Sequence, residues 1–304
     1  MPDTPYAAEL DAALDAARDA AAFIAEHAGG LGARHGAASN AETQTRAAAE
    51  TRLADGAVAA KSAHDLVTFV DLEAQRRILA VLRARFPDDA VLAEEDHDTA
   101  DGPSAPSPGR VWIVDPLDGT TNFSHGVPPY AVSIAMQHDG RSVVAVVLDA
   151  SSGETFTATR GGGAWLDAGG TRRRLRVSET DTLAASLLAT GFPFRDYRYV
   201  DGFLETFETL IRATRGLRRH GSAAIDLAWT AAGRFEAFFE CGLAPWDVAA
   251  GVLLVEEAGG TVAPLGGADA VFSGGLTAAA PGIDAALRAA CAPLGRAFAA
   301  RAGG

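Results

Sequence analysis

Cysteine is scarce: Cys241 and Cys291 are the only two in 304 residues, and neither has a Cys or His neighbour at zinc-ligand spacing. That excludes a disulfide framework and a thiolate metal site, and it points to a reducing, cytoplasmic compartment. Although 48% of the chain is hydrophobic, no apolar run is long enough for a membrane span. Met1 to Leu10 carries Asp3 and Glu9 and lacks the basic-then-apolar pattern of an export signal. Positive charge is also short, with 26 basic against 39 acidic residues and a net charge of −13. This balance opposes non-specific attraction to nucleic acid and does not help to capture an anion. A phosphate ligand would need local positive charge, most simply bound metal. The seven histidines form no His-Glu-x-x-His pair. There is no Gly-x-x-x-x-Gly-Lys-Ser/Thr phosphate loop and no Gly-x-Ser-x-Gly nucleophile elbow.

What the chain does have is the run Trp112-Ile113-Val114-Asp115-Pro116-Leu117-Asp118-Gly119-Thr120-Thr121-Asn122-Phe123. An apolar strand ends in two carboxylates three residues apart, followed by a Gly-Thr turn. Two carboxylates and a main-chain carbonyl suit hard cations, and the N–H groups of Gly119 and Thr120 suit an anion.

Apolar spacing predicts an amphipathic helix over 7–28, with Gly29-Gly30 as its stop, and a second helix after Asp71 whose buried face is Ile78, Leu79, Leu82 and Phe86. Residues 31–60 read as a surface excursion and 98–109 as a loop. Strands are expected at 90–93 and 111–114, then in a meander through 131–136, 143–148 and 154–159, with Asp139-Gly140 as a hairpin turn. Later helices are expected near 201–214, 222–232, 247–258 and 282–294, and short strands near 186–190, 235–239 and 277–280. Arg172-Arg173-Arg174 with Arg176 reads as the solvated edge of a hairpin. A strand-rich half to about 180 and an alternating half after it give a layered α/β or α+β architecture, read as one domain over 5–300.

Asp71, Glu94-Glu95, Asp115/Asp118 and Asp247 each adjoin an apolar element. Taken singly they read as structural; Asp71 and Asp247 suit helix N-caps. Together, as hard oxygen donors without His or Cys, they favour Mg²⁺ over zinc.

In these residues the chain resembles the inositol monophosphatase family. The opening run matches the first family signature. Pro245-Trp246-Asp247-Val248-Ala249-Ala250-Gly251 with Glu257-Ala258-Gly259-Gly260 matches the second. Lys61, Asp65-Leu66-Val67-Thr68 and Asp71 resemble its N-terminal metal-loop segment, and Gly221-Ser222-Ala223-Ala224 and Phe238-Phe239-Glu240 also match. Ala93 stands where the family usually has Gly. The likeness runs from about Lys61 to about Leu294.

The resemblance implies an αβαβα sandwich, a homodimer, and two or three Mg²⁺ per site, with Li⁺ inhibitory and Mn²⁺ a substitute. It implies metal ligation by Glu94, Asp115, the Leu117 carbonyl, Asp118 and Asp247. Hydrolysis would use a metal-activated water, with Glu94 or an Asp71–Thr120 pair taking its proton. Gly119 and Thr120 would bind phosphate. Glu240, Asp118 and Asp247 would meet substrate hydroxyls, and Ala224 would line the ring pocket. The expected substrate is myo-inositol monophosphate. Histidinol phosphate is the main rival. Fructose 1,6-bisphosphate requires a second phosphate site, and the sequence points to none. Thr121-Asn122-Phe123 argues against 3′-phosphoadenosine 5′-phosphate. A reading of a different class is a regulatory or binding protein that keeps the fold and dispenses with catalysis.

Overall fold

Alternation within the strands sets the layering. In β4 (Arg110–Asp118), Trp112 and Val114 belong to one buried cluster while Val111 and Ile113 belong to another. Successive residues of a strand face opposite ways, so this sheet is covered on both sides. The computed structural model describes residues 6–31, 60–62, 65–66, 69–96, 109–266 and 269–302.

The first outer layer is α1 (Ala7–Leu31) against α2 (Phe69–Arg85). Ala12, Ala13, Ala16, Ala17 and Ala20 are fully buried there beside Ile24, Ile78 and Leu82. Small side chains let the helices approach closely. The second layer is a seven-stranded sheet ordered β3 to β9 in sequence: β3 (Ala90–Ala93), β4, β5 (Ala131–His138), β6 (Arg141–Asp149), β7 (Thr155–Thr159), β8 (Gly163–Ala168) and β9 (Thr171–Arg174). Only β3 and β4 run parallel. A minor antiparallel pair, β1 (Ala60–Ser62) and β2 (Asp65–Leu66), precedes it. Asp139 and Gly140, both at positive φ (49° and 76°), close the β5–β6 hairpin.

The third layer is α5 (Ala223–Ala231) and α6 (Pro245–Glu257), buried between the two sheets. A five-stranded sheet follows, ordered β11-β10-β12-β14-β13. It is built from β10 (Leu187–Thr190), β11 (Gly216–Arg218), β12 (Ala237–Cys241), β13 (Thr261–Pro264) and β14 (Gly275–Ala279). Phe238, Leu276 and Ala278 face the α5–α6 side; Phe239, Cys241 and Ala279 face the last helical layer. That layer holds α4 (Val200–Ala213), α7 (Asp284–Ala290) and α8 (Ala292–Ala302). The result is the expected αβαβα sandwich.

Several boundaries differ from the sequence reading. Helix α1 runs through Gly29-Gly30 to Leu31; glycine costs a helix about 1 kcal/mol but does not forbid it. The helix expected over 282–294 is two, α7 and α8, meeting at Cys291 just before Pro293. Strands β8, β11 and β13 were not expected; β11 and β13 are only three and four residues long. Thr120–His125 forms a short helix, α3, where a simple turn was read. Residues 32–59, nearly all of the expected excursion, and 97–108 of the expected loop lie outside the described residues. Among the described residues, no helix is long and apolar enough to cross a membrane. Strand β9 is exposed throughout at the free edge of its sheet, as expected of Arg172-Arg173-Arg174.

Candidate active site

Two residues three apart in a regular strand point to opposite faces. Asp115 and Asp118 converge because the β4–β5 register breaks between them: Asp115 pairs with Ser133, Asp118 with Ala131. Three steps on β4 answer two on β5, which is a bulge. Pro116 has no N–H to lose there. The Leu117 N–H donates to Asp115 Oδ1 (3.0 Å), fixing the bend.

Asp118 is held from the other side of the cavity. Its Oδ2 accepts from Ser222 Oγ (2.6 Å) and from the Ala224 N–H (2.7 Å) at the start of α5. Ser222 also caps that helix, accepting from the Ile225 N–H (3.4 Å). Asp247 comes from the first turn of α6, where Pro245 opens the helix and Asp247 Oδ2 accepts from the Ala244 N–H (2.8 Å). It is thus inside the helix rather than its N-cap, close to the positive end of the helix dipole. Carboxylate oxygens of Asp115, Asp118 and Asp247 all lie within 4.8 Å of one another.

Such a cluster is electrostatically costly. Burial, then the charges of Glu94, Asp118 and Asp247, push Asp115 well above the usual carboxylate range. Asp118 is pushed up to about 7 by burial and by Asp247, against the hydrogen bonds from Ser222 and Ala224. Three carboxylates brought together by backbone donors, in a cluster that among the described residues includes no His or Cys, fit a hard divalent cation.

Glu94 sits half-buried in the turn after β3 and hydrogen-bonds to Asp115. Asp71 is buried in the first turn of α2, two residues past the start, so it is not the N-cap that the sequence suggested. Thr120 Oγ1 lies 3.3 Å from Asp71 Oδ1 and 3.0 Å from the Leu117 carbonyl. The structure therefore brings the expected Asp71–Thr120 pair together. Side chains of Lys61, Asp65 and Thr68 lie outside the described residues.

Gly119 adopts φ +90°, and a Cβ there would stand 3.1 Å from the Pro129 carbonyl. Conformation and space both require glycine. Asn122 ties this turn to its surroundings: its Nδ2 donates to the Pro129 carbonyl (2.8 Å) and to the His220 carbonyl (2.6 Å).

Glu94, Asp115, Asp118, Asp247, Gly119 and Thr120 line one cavity of about 160 Å³, which they share with Glu240, Phe192, Phe194, Arg195 and Arg219. Glu240, half-buried at the end of β12, is raised well above its ordinary pKa by burial and by Asp226 and Asp247, with Arg219 opposing. Its carboxylate fits beside Gly191, where a Cβ would collide with it. Ala224 does not line the cavity: it is fully buried, and Ala223 forms the wall instead. Ala224 contributes its N–H to Asp118. His220 makes a structural pair with buried Asp226 (Nδ1–Oδ1 2.7 Å). Burial pushes Asp226 up to about 6, against that bond.

Sequence reasoning missed Arg195 and Arg219, which belong to no motif. It did not foresee Ser222 as the partner of Asp118.

A five-layer sandwich with a carboxylate cluster in a cavity at a strand end is the architecture of a phosphatase acting on small phosphate esters. The chain belongs to the inositol monophosphatase family, whose model matches residues 9–294. It is 50% identical to the Nus factor SuhB of Pseudomonas aeruginosa over 209 residues, covering 68% of this chain and 75% of that protein. The crystal structure of the extragenic suppressor protein SuhB from Bartonella henselae superposes with a TM-score of 0.77 at 32% identity, covering 94% of this chain and 98% of that one. The Thermotoga maritima IMPase gives 0.74 at 29% identity, covering 95% and 99%. Metal dependence is general in the family, and the acidic cluster suits it.

Proposed function

We propose that this chain is a Mg²⁺-dependent, Li⁺-sensitive phosphatase that hydrolyses myo-inositol monophosphate to inositol and phosphate. The observation that carries the reading is the convergence of Asp115, Asp118 and Asp247 beside the Gly119-Thr120 turn, with Glu240 in the same cavity. Asp115, Asp118, Asp247, Glu94 and the Leu117 carbonyl would hold the cations. When bound, those ions supply Lewis-acid polarisation of the phosphoryl group and a more acidic water.

The chain's own residues do the rest. The Gly119 and Thr120 N–H groups bind phosphoryl oxygens, in a turn that glycine alone permits. Thr120 and Asp71, already in contact, take the proton from the attacking water, with Glu94 as the other acceptor. Asp118 is kept rigid by Ser222 and Ala224, so its oxygens need no reorganisation during the reaction. Glu240 accepts hydrogen bonds from polyol hydroxyls; Asp118 and Asp247 meet the hydroxyls nearest the ester. We read the two sheets as one catalytic domain. Exposed Leu204 and Ile211 on α4 support a homodimer.

Phosphate release from inositol 1-phosphate and from histidinol phosphate, measured side by side with Mg²⁺ and with added Li⁺, tests the assignment. Faster turnover of histidinol phosphate would overturn the substrate. The 50% identity to a protein named Nus factor favours a second reading, a Nus-factor role. Complementation of such a role by an Asp118→Asn chain lacking phosphatase activity would separate the two.

A further inference from the structure

The connection from β11 to α5, residues 219–222, touches both halves of the site. The His220 carbonyl accepts from Asn122 Nδ2 (2.6 Å), which ties it to the short helix opened by the Gly119-Thr120 turn. The Gly221 carbonyl lies 3.4 Å from where a Cβ on Gly119 would stand, and a Cβ on Gly221 would lie 3.0 Å from Asn122 Oδ1. Ser222 Oγ donates to Asp118 Oδ2 (2.6 Å). Three consecutive residues thus set the anion turn against the carboxylate floor. Two side chains anchor them. The Arg219 guanidinium carbon lies 5.7 Å from the Phe192 ring centre and 5.4 Å from that of Phe194, at the partly exposed rim. His220 points the other way. Its Nδ1 meets Asp226 Oδ1 (2.7 Å), and its ring is walled by Trp229 and Phe235, with centroids at 5.1 and 5.3 Å. Asp226 is buried in the first turn of α5, and its own N–H donates to the Ser222 carbonyl (3.0 Å). It neither belongs to the carboxylate cluster of the floor nor lines the cavity. A carboxylate kept buried at such cost, away from cations and ligand, requires another use.

We propose that His220 and Asp226 are positioning residues: their bond fixes the 219–222 connection, and through it the placement of the Gly119-Thr120 turn relative to Asp118. Neither touches the reacting atoms. The inference rests on the preceding reading of the turn as the phosphate site and of the floor as the cation site. A phosphoryl group that meets the turn N–H groups and the floor-bound cations together senses that placement directly, and small misplacements are costly there. Cation binding alone does not sense it. Asp115 and Asp247 are held by the Leu117 and Ala244 N–H groups, and Asp118 keeps the Ala224 N–H. The His220–Asp226 bond spans six residues across the start of α5, so the His220 backbone cannot turn without breaking a bond to a buried group. Asp226 also acts by its charge on Glu240, and Arg219 acts on Asp226, so geometry and charge have to be separated by the choice of variants.

The test uses the full-length chain and four variants. Asp226→Asn keeps an acceptor for the imidazole without the charge, and Asp226→Leu removes both at similar volume. His220→Asn keeps an N–H near the place of Nδ1, and His220→Ala removes it. Calorimetry gives the Kd of inorganic phosphate for Mg²⁺-loaded protein and the Kd of Mg²⁺ alone; turnover of inositol 1-phosphate gives kcat and KM, all well below the melting temperature. Asp226→Leu and His220→Ala should weaken phosphate by about tenfold and lower kcat by about tenfold to a hundredfold, with little change in Mg²⁺ affinity. Asp226→Asn and His220→Asn should recover most of both losses. Adding Asn122→Ala to His220→Ala should cost little beyond the larger single loss, because both act through one hydrogen bond. A lower melting temperature with kcat, KM and phosphate Kd unchanged overturns the proposal and makes the pair a fold contact only, leaving the hydrolysis reading intact. Equal losses in Asp226→Asn and Asp226→Leu also overturn it, in favour of a charge effect on Glu240. So does a parallel loss of Mg²⁺ affinity, which would make the pair a support of the floor itself. Mg²⁺-dependent phosphate binding that needs His220, in a protein that hydrolyses no inositol 1-phosphate, would uphold the positioning role and sink the substrate reading.

Discussion

The floor and the rim of the cavity are built differently. On the floor, Asp115, Asp118 and Asp247 each accept a backbone N–H, from Leu117, Ala224 and Ala244. They sit on a bulged strand next to the sheet edge and on a buried helix, so their positions are fixed by the same packing that makes the sandwich. The rim is made of long side chains: Phe192, Phe194, Arg195 and Arg219 on connections between β10, α4, β11 and α5, with half-buried Glu240 just behind them. A rigid floor suits chemistry that tolerates little displacement. A rim of long side chains on loops can change its ligand preference without disturbing the metal site.

Several measurements would break or sharpen that contrast. The largest effect is expected at the floor. Asp118→Asn removes one of the three carboxylates proposed to hold the cation and should lower kcat by roughly a thousandfold or more with the fold retained by circular dichroism, in the range seen when a charge-stabilising group is lost. A loss of only a few-fold would mean the floor is not the reaction centre. Gly119→Ala is expected next, since a left-handed φ and a 3.1 Å contact to backbone both oppose it. It should cost about 1–3 kcal/mol of stability together with most of the activity.

The protonation of the floor gives a test without mutation. Asp118 titrates near 7 in the metal-free fold against an ordinary value of 3.8. Between those values the native state keeps a proton that the unfolded chain has released. The stability of metal-free protein should therefore fall as pH rises from about 4 to about 7, with the slope removed by saturating Mg²⁺. A melting temperature rising with pH in chelator, through this window, would contradict the assignment. At the rim, Glu240→Gln should raise KM for inositol 1-phosphate by about tenfold, the worth of one hydrogen bond to a charged group, while a small ester lacking ring hydroxyls is affected less. The smallest effect is expected far from the cavity. Arg85→Ala breaks exposed pairs with Asp11 and Asp15 and should leave the melting temperature nearly unchanged and the activity unchanged.

The same contrast decided what could be read from the sequence. Floor residues lie in short contiguous runs, Asp115 to Phe123 and Pro245 to Gly251, because one strand end and one helix start present them. Local chemistry was therefore enough to bring them to notice. Apolar spacing was enough for most helices and strands and for a layered α/β or α+β class, whereas the five-layer order rested on the family resemblance. Rim residues are assembled from separate connections, and nothing in the neighbourhood of Arg219 announces that the fold will seat it between two phenylalanines. Ala224 was expected at the ring pocket, whereas its N–H reaches Asp118 and Ala223 lines the cavity, a one-residue difference that the motif alone does not reveal. The break at Cys291 was missed because Ala, Leu and Arg on both sides favour helix, and only Pro293 interrupts them.

The claim on which the rest depends is that the buried carboxylates form a divalent-cation site. Calorimetric titration of Mg²⁺ into chelator-stripped protein, run near pH 7 in two buffers of different ionisation enthalpy, tests it directly. Saturable binding with proton release, abolished or strongly weakened in Asp118→Asn, is the expected result. Binding that is absent in the wild type, or equally strong in Asp118→Asn, would contradict it.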